Sequence, residues 1–251
     1  MPKRCLLYYI TDRTAFAPDE PSRRRRLLER IAAAARAGID CIQLREKDLS
    51  IRELESLARE AVSVIDQARR LPPEPWPLNP ALLINSRTDV ALAAGADGIH
   101  LRSVDISPRE VKTIWTNTRV GSVAFADPAA EGATASPAPT RRLPTGLSTQ
   151  RPLIGVSCHW PEEVAKAAAD GATFAVFAPV FEKKDAPGTE PAGLAQLREA
   201  CRASIPVLAL GGITVQNARS SLEAGAAGIA GIRLFQENDI TEIVRTLHRL
   251  P

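Results

Sequence analysis

Short apolar runs rich in β-branched residues alternate along the chain with longer segments of helical periodicity. The predicted strands are Leu6–Thr11, Asp40–Leu44, Ala81–Ile84, Gly98–Leu101, Pro152–Val156, Thr173–Phe177, Pro206–Leu210 and Ala227–Gly231. The predicted helices are Pro21–Ala37, Ser50–Arg70, Thr88–Ala94, Ser107–Trp115, Pro161–Asp170, Ala192–Ala203, Val215–Ala224 and Thr241–Leu250. This alternation predicts an α/β fold with a parallel sheet.

A weak internal repeat helps to decide between the possible α/β architectures. Ala37–Ile42, Ala94–Ile99 and Ala224–Ile229 share an Ala-Gly start and an apolar end, and Asp170–Ala175 is a looser copy. Each glycine falls where a helix must end, a position that favours left-handed backbone. Copies spaced by about two strand–helix units predict one closed (β/α)8 TIM barrel over residues 1–251 rather than an open doubly wound sheet.

The middle interval of the repeat is longer because it contains an insertion. Ala126–Arg151 is rich in Pro, Ala, Thr, Ser and Gly and has almost no large apolar residue. Such a segment buries too little surface to offset its ordering entropy, so we expect it to be disordered. The proline-rich stretch Leu71–Pro80 predicts a shorter and stiffer loop. Barrel units continue on both sides of each segment, so neither is a domain boundary.

Composition excludes several classes of protein. An apolar share of 45% and a charged share of 24% are globular values, and a net charge of +3 gives no argument for nucleic acid. No stretch has the length of a membrane helix, and the N-terminal apolar run is too short for a signal peptide. We therefore expect a cytoplasmic protein. The 4 cysteines lack metal or disulfide spacing.

Candidate chemistry lies at the carboxyl ends of the predicted strands, where barrel enzymes carry their active sites. Gln43, Arg45 and Lys47 follow strand two, and Asn85 follows strand three. Arg45 and Lys47 with Glu46 could form a surface salt bridge, but two cations and an amide at the end of a buried strand suit an anionic ligand better.

The next three strand ends each leave two interpretations open. Asp105 after strand four could be an oxygen ligand for Mg²⁺ or a helix cap. After strand five, His159, next to Ser157 and Cys158, could transfer protons or be structural. The basic loop that contains Lys183, after strand six, could be a lid over the mouth or a solvated run of charge.

The last two strand ends predict a phosphate site. Gly211 and Gly212 follow strand seven, and Ile232 and Arg233 follow strand eight. Glycine loops expose backbone N–H groups, and these two loops are the recurrent phosphate site of the fold. With Arg45, Lys47 and Lys183 on another side, the mouth has two anion-binding halves. The residues alone indicate a barrel enzyme for phosphorylated small molecules.

A set of short motifs recurs together in one family of enzymes. The motifs are Tyr9–Asp12, Ile42–Lys47, Ile84–Asn85, Ala94–Leu101, Ile154–Ser157, Pro179–Phe181, Ala209–Thr214 and Ala224–Ala226. Together they resemble thiamine-phosphate synthases and their relatives, the TenI-type thiazole tautomerases. The synthase joins hydroxymethylpyrimidine diphosphate to hydroxyethylthiazole phosphate: pyrophosphate departs first, and the thiazole nitrogen captures the pyrimidine carbocation.

The resemblance implies a role for each candidate residue. The residues around the diphosphate would be Gln43, Arg45, Lys47, Asn85, Ser157 and the lid lysine Lys183. The thiazole phosphate would lie at Gly212, Ile232 and Arg233. Asp105 matches a Mg²⁺ ligand, so Mg²⁺ is the expected cofactor of a synthase. His159 matches the histidine that the tautomerases use.

Departures from the synthase pattern keep other functions open. Ser86 stands where synthases carry a metal-binding Asp, and Arg102–Asp105 replaces a Gly-Gln-Glu-Asp loop. The Thr-x-Thr before Lys183 is absent, and Arg233 replaces a serine. Synthase is our first hypothesis, a TenI-like tautomerase the alternative, and a non-catalytic thiamine-phosphate-binding regulator a third. The expected partners are phosphorylated small molecules, without nucleic acid or membrane; the sequence leaves a homo-oligomer open.

Overall fold

Eight parallel strands pair in chain order, and the last pairs with the first, so the sheet closes into a barrel. The strands are β1 (Leu6–Ile10), β2 (Cys41–Leu44), β3 (Ala81–Asn85), β4 (Gly98–Leu101), β5 (Leu153–Cys158), β6 (Phe174–Phe177), β7 (Val207–Ala209) and β8 (Gly228–Gly231). The helices are α1 (Glu20–Ala37), α2 (Ile51–Arg69), α3 (Thr88–Ala94), α4 (Pro108–Ala124), α5 (Pro161–Ala169), α6 (Gly193–Ala200), α7 (Val215–Glu223), α8 (Arg233–Gln236) and α9 (Ile240–His248). The predicted (β/α)8 TIM barrel is confirmed.

The computed structural model describes residues 4–70, 80–124, 151–182, 188 and 190–250, and the side chains of these ranges apart from 119–124. The predicted insertion Ala126–Arg151 falls between α4 and β5 and, except for Arg151, lies outside the described residues. The predicted loop Leu71–Pro80 also lies outside them, except for Pro80. Both segments connect a helix to the next strand, so their ends lie on the face opposite the mouth of the barrel.

Two helices differ from the prediction. α4 runs to Ala124 rather than ending at Trp115, although β-branched threonines follow. The Thr116 and Thr118 hydroxyls each donate to the carbonyl four residues back, both at 2.9 Å, so the helix satisfies them. The sequence pattern gives no sign of α8, because four residues are too few to show helical periodicity.

Apolar side chains form one layer inside the barrel and another between the strands and the helices. Ile42 and Leu44 of β2 belong to the outer layer. Tyr8, Leu83 and Phe174 fill the interior. Because side chains alternate along a strand, Gln43 turns inward, as predicted. None of the helices in the described ranges combines the length and apolar character that a membrane span requires.

Capping side chains and a glycine mark several helix ends. Ser50 and Thr214 accept hydrogen bonds from the N–H groups of Glu53 and Asn217, and each forms a capping box. Gly38 ends α1 with φ 99°, the left-handed geometry that its place in the repeat predicts. The turn at Gly38 ends α1 shortly before β2 begins at Cys41.

Candidate active site at the mouth of the barrel

A cavity of about 560 Å³ opens at the carboxyl ends of the strands. The predicted residues that line it are Gln43, Arg45, Lys47, Asn85, Ser157, His159, Gly211, Gly212, Ile232 and Arg233. Asp105 does not line it, whereas Arg102, Ser103 and Val104 from the same loop do. Lys183 lies outside the described residues.

Gln43 and Asn85 form a polar pair at the ends of neighbouring strands. Gln43 Nε2 donates to Asn85 Oδ1 at 2.8 Å, which fixes the orientation of both amides. Gln43 Oε1 is buried and has no hydrogen-bond partner among the described residues. A buried acceptor without a partner is costly, so this oxygen is suited to receive a donor from a ligand.

Arg45 and Lys47 bring positive charge to the cavity. Neither side chain makes a hydrogen bond or ion pair with a described residue, so both are available to an anion. The positive charge of Arg45, followed by partial burial and then Arg102, lowers the pKa of Lys47. An anion bound between these cations would relieve their mutual repulsion.

Glu46, between these two cations in sequence, turns away from the cavity. Its carboxylate accepts hydrogen bonds from the Thr11 hydroxyl, from the Arg13 backbone N–H at 3.0 Å and from Arg13 Nη1 at 3.3 Å. Burial raises the pKa of Glu46, although the bonds from Thr11 and Arg13 oppose the rise. Its partner is therefore Arg13, and it is not placed to replace the carboxylate missing at Ser86.

His100 links the barrel interior to the cavity. It is 2% exposed, with the Tyr8 hydroxyl 3.0 Å from Nδ1 and the Ser157 hydroxyl 2.8 Å from Nε2. Burial, reinforced by the charge of Arg45, lowers the pKa of His100 to about 3. A neutral imidazole has one N–H, so it donates to one hydroxyl and accepts from the other. His100 thus orients Ser157 without adding charge.

We expect His100 to make the protein less stable in mild acid. Its pKa is lower in the folded protein than in an unfolded chain, about 6.5, so below that pH the unfolded chain binds the extra proton. The free energy of unfolding should therefore fall, on account of this residue, by about 1.4 kcal/mol per pH unit between roughly pH 6 and 4. Urea denaturation across this range should show a slope smaller by that amount in His100→Gln.

Tyr8→Phe is the control for this measurement. It removes the hydroxyl that contacts Nδ1 but leaves the imidazole buried, so the wild-type dependence on pH should persist. Equal slopes for the wild type and His100→Gln would contradict the assignment.

His159 is exposed and lies after β5, at the cavity wall. Its Nδ1 is 2.6 Å from the Ala178 carbonyl oxygen. Because a carbonyl only accepts, Nδ1 carries the proton and donates it to this bond. In the neutral ring Nε2 is then the basic atom, and it bonds no described residue.

Asp105 lies behind the cavity wall in an ionic cluster with Arg102 and Ser86. Its carboxylate accepts hydrogen bonds from Arg102 Nη2 at 2.8 Å, the Arg102 backbone N–H at 2.8 Å and the Ser86 hydroxyl at 2.6 Å. Burial alone would raise the pKa of Asp105, but the bonds from Arg102 and Ser86 lower it below its ordinary value. Asp105 is therefore ionised, and its charge is compensated by a guanidinium.

The loops after β7 and β8 form another part of the wall. Gly212 has φ 64°, and an added Cβ would lie 2.8 Å from the carbonyl carbon of Phe181, so only glycine fits. No side chain caps the start of α8. Both loops line the cavity with Arg233, and their place after the last two strands is where barrels of this fold commonly bind phosphate.

Gln236 of α8 ties this part of the wall to β1. Its Nε2 donates to the Asp12 carbonyl at 2.6 Å, and its Oε1 accepts from the Tyr9 hydroxyl at 3.0 Å. The buried amide of Gln236 thus anchors the short helix after β8 at the cavity wall.

The family model described as "Thiamine monophosphate synthase" matches residues 7–138 and 145–235. The chain belongs to this family. A thiamine-phosphate synthase of Roseiflexus castenholzii is 34% identical over 91% of the chain and 80% of its own length. Another, from Methanoculleus marisnigri, is 33% identical over 96% of the chain and 92% of its own length.

Solved structures give the same fold. Thiamine phosphate pyrophosphorylase from Pyrococcus furiosus superposes with a TM-score of 0.69 at 24% identity and covers 99% of this chain and 96% of its own. The resemblance stated from the sequence motifs is thus confirmed at the level of the family. Membership of the thiamine monophosphate synthase family places the chain among transferases of thiamine biosynthesis.

Three residues of this site are not among the candidates that the sequence indicates: His100, Arg102 and Gln236. His100 could have been found as the polar residue on the inner face of a buried strand. The spacing of Arg102, three residues before Asp105, would have allowed this local ion pair to be found. Gln236 carries no such signal, because its bond to Asp12 joins positions that only the fold brings together.

Proposed function

We propose that the chain is a thiamine-phosphate synthase that couples hydroxymethylpyrimidine diphosphate to hydroxyethylthiazole phosphate and releases pyrophosphate. The supporting observation is one cavity with two separate groups of anion-binding residues. Arg45 and Lys47 come from the end of β2, and Gly212 and Arg233 come from the ends of β7 and β8. A synthase must hold two phosphorylated substrates together, whereas a tautomerase holds one.

In this proposal Arg45 and Lys47 promote departure of pyrophosphate. Negative charge grows on the leaving oxygens, and cations fixed in place beforehand lower the energy of that charge. The guanidinium of Arg45 offers a planar pair of donors to phosphate oxygens, and Lys47 adds a point charge. Because these cations repel each other in the free protein, they interact more favourably once the anion is bound.

Gln43, Asn85 and Ser157 would orient the diphosphate substrate. The bond between Gln43 and Asn85 leaves the buried Gln43 Oε1 as an acceptor. The imidazole of His100 fixes the Ser157 hydroxyl at the cavity wall. On the other side, the glycine loop and Arg233 would hold the thiazole phosphate, so that the thiazole ring lies next to the departing group.

The Mg²⁺ ion that the resemblance implies does not fit the described residues. Mg²⁺ binds carboxylates and substrate phosphates with strict geometry. Here Asp105 already accepts hydrogen bonds from Arg102 and Ser86, and Glu46 is bound by Arg13. The described residues contain no group of 3 or more His, Cys, Asp and Glu side chains that could hold a metal. No step of the proposed reaction is therefore assigned to a metal.

A TenI-like tautomerase is the second candidate, and the geometry of His159 favours it. The hydrogen bond from Nδ1 to Ala178 leaves Nε2 as a base at the cavity wall. Tautomerisation of a thiazole carboxylate phosphate needs proton transfer between carbon atoms, which such a base can perform.

We also propose that the protein works in the cytoplasm on phosphorylated small molecules. In support, Cys5, Cys41, Cys158 and Cys201 are all free thiols. Burial raises the pKa of Cys158 and of Cys5 to about 12, so these two are unreactive thiols. Free, buried cysteines suit a reducing compartment.

Incubation with both synthase substrates, followed by mass detection of thiamine phosphate and pyrophosphate, tests the proposal. We expect both products in equal amounts. Turnover of the thiazole carboxylate phosphate without thiamine phosphate would instead support the tautomerase, and His159→Asn should then abolish that turnover. If the protein binds these ligands but turns over neither substrate, both enzymatic hypotheses are wrong and a non-catalytic binding protein is favoured.

A further inference from the structure

Arg102 occupies the cavity wall in the loop where the resemblance implies a metal ligand. We propose that Arg102, held by Asp105 and Ser86, binds the substrate diphosphate in place of Mg²⁺, so that this chain binds pyrophosphate without a divalent cation. The inference rests on the proposed function, because the synthase reaction is what presents a diphosphate to this wall.

The hydrogen bonds of Arg102 hold the guanidinium by one edge. Nη2 donates to Asp105 Oδ1 at 2.8 Å, and Nε lies 3.1 Å from the Ser86 hydroxyl oxygen. Nη1 makes no bond to a described residue. The guanidinium is therefore fixed in orientation and still has N–H groups for phosphate oxygens.

An anion in the cavity meets Arg102 before it meets Asp105. The Arg102 side chain is 56% exposed and lines the cavity, whereas the Asp105 side chain is 10% exposed and does not. The charge of Arg102 also reaches Lys47, whose pKa is lowered first by Arg45, then by partial burial and then by Arg102. Arg45, Lys47 and Arg102 all line the same cavity.

The replacement preserves the balance of charge. A divalent cation on two carboxylates has no net charge, and neither has the guanidinium of Arg102 on the single carboxylate of Asp105. Ser86, in place of the second carboxylate, donates its hydroxyl to Asp105 at 2.6 Å rather than competing with it for the cation. The loss of one carboxylate and the gain of an arginine are therefore one coupled change.

The backbone at Ser86 allows the change to be reversed. Ser86 has φ 58°, and its N–H donates to the His100 carbonyl at 2.8 Å. Aspartate is among the few residues that adopt this left-handed conformation readily. Ser86→Asp should thus fit the existing loop and present a carboxylate beside Asp105.

Calorimetric titration with inorganic pyrophosphate in EDTA tests the inference on the full chain. The wild type should bind, and Arg102→Gln should bind about tenfold to a hundredfold more weakly. Arg109→Gln, which removes an exposed arginine on α4 outside the cavity, should match the wild type. Wild-type binding that requires Mg²⁺, or full binding by Arg102→Gln, would overturn the inference. If Arg102→Gln fails to fold, comparing pyrophosphate binding by the wild type in EDTA and in Mg²⁺ still tests the inference.

A second variant tests the replacement directly. Ser86→Asp/Arg102→Gln should bind pyrophosphate in Mg²⁺ and lose that binding in EDTA, whereas the wild type should keep its binding in EDTA. The same binding by this double variant in both buffers would count against a shared site for cation and guanidinium.

Turnover assays distinguish failure of this inference from failure of the proposed function. If the protein binds pyrophosphate in EDTA but forms no thiamine phosphate, the proposed function is wrong and the proposed anion site at Arg102 stands. If the protein forms thiamine phosphate but stops doing so in EDTA, the proposed function stands and the proposed role of Arg102 is wrong.

Discussion

Arg45→Ala is expected to lower kcat/KM for thiamine phosphate formation by about a hundredfold to a thousandfold. The guanidinium lies at the cavity and bonds no described residue. In the proposed reaction its loss therefore removes stabilisation of the leaving pyrophosphate without breaking a contact among the described residues. The free energy of unfolding should stay within about 1 kcal/mol of the wild type. Steady-state kinetics and urea denaturation measure the two quantities.

Arg52→Ala is the matched control, because Arg52 is exposed on α2 and does not line the cavity. It should change neither quantity appreciably. Unchanged turnover in Arg45→Ala would remove Arg45 from the diphosphate site, and a large loss of stability would mean that Arg45 has a structural role.

Glu46→Gln is expected to lower the free energy of unfolding by about 3 kcal/mol. The buried carboxylate accepts from Thr11 and from two N–H groups of Arg13. A glutamine would point its NH₂ at one of these donors and leave the buried guanidinium of Arg13 less compensated. Urea denaturation at neutral pH measures the change.

Glu55→Gln gives the comparison for an exposed ion pair. Glu55 pairs with Arg59 at 2.7 Å on the surface of α2, where such pairs contribute at most about 0.5 kcal/mol. If both substitutions cost the same, the Glu46 cluster does not stabilise the loop after β2.

Most of the fold could be predicted from the sequence because strands and helices carry different periodicities. The Ala-Gly repeats mark where helices end, and Gly38 adopts the left-handed backbone that this role requires. The end of α4 could not be predicted, because threonine hydroxyls that bond back to the helix offset a poor local propensity. α8 depends on tertiary contacts of Gln236 rather than on a pattern.

The candidate site could be predicted as far as strand ends determine it. Gln43 lies in β2 and Arg45 follows the end of that strand two positions later, so continued alternation directs both to the mouth. The partners of Asp105 and Glu46 could not be predicted in this way. Both carboxylates lie in loops, where no periodicity sets the direction of a side chain. Glu46 meets Arg13, 33 residues away, only after the chain has folded, whereas Arg102 is three residues from Asp105 and bonds it within one loop.

The bond between Tyr9 and Gln236 has a consequence for synthesis of the molecule. It joins positions 227 residues apart, next to the pairing of Leu6 with Gly228 that closes the sheet. During translation β1 leaves the ribosome first and keeps one unpaired edge until β8 has followed, which invites aggregation of the nascent chain. Contacts so distant in sequence also slow folding. A newly made molecule therefore completes the wall of its cavity only after β8 has been translated.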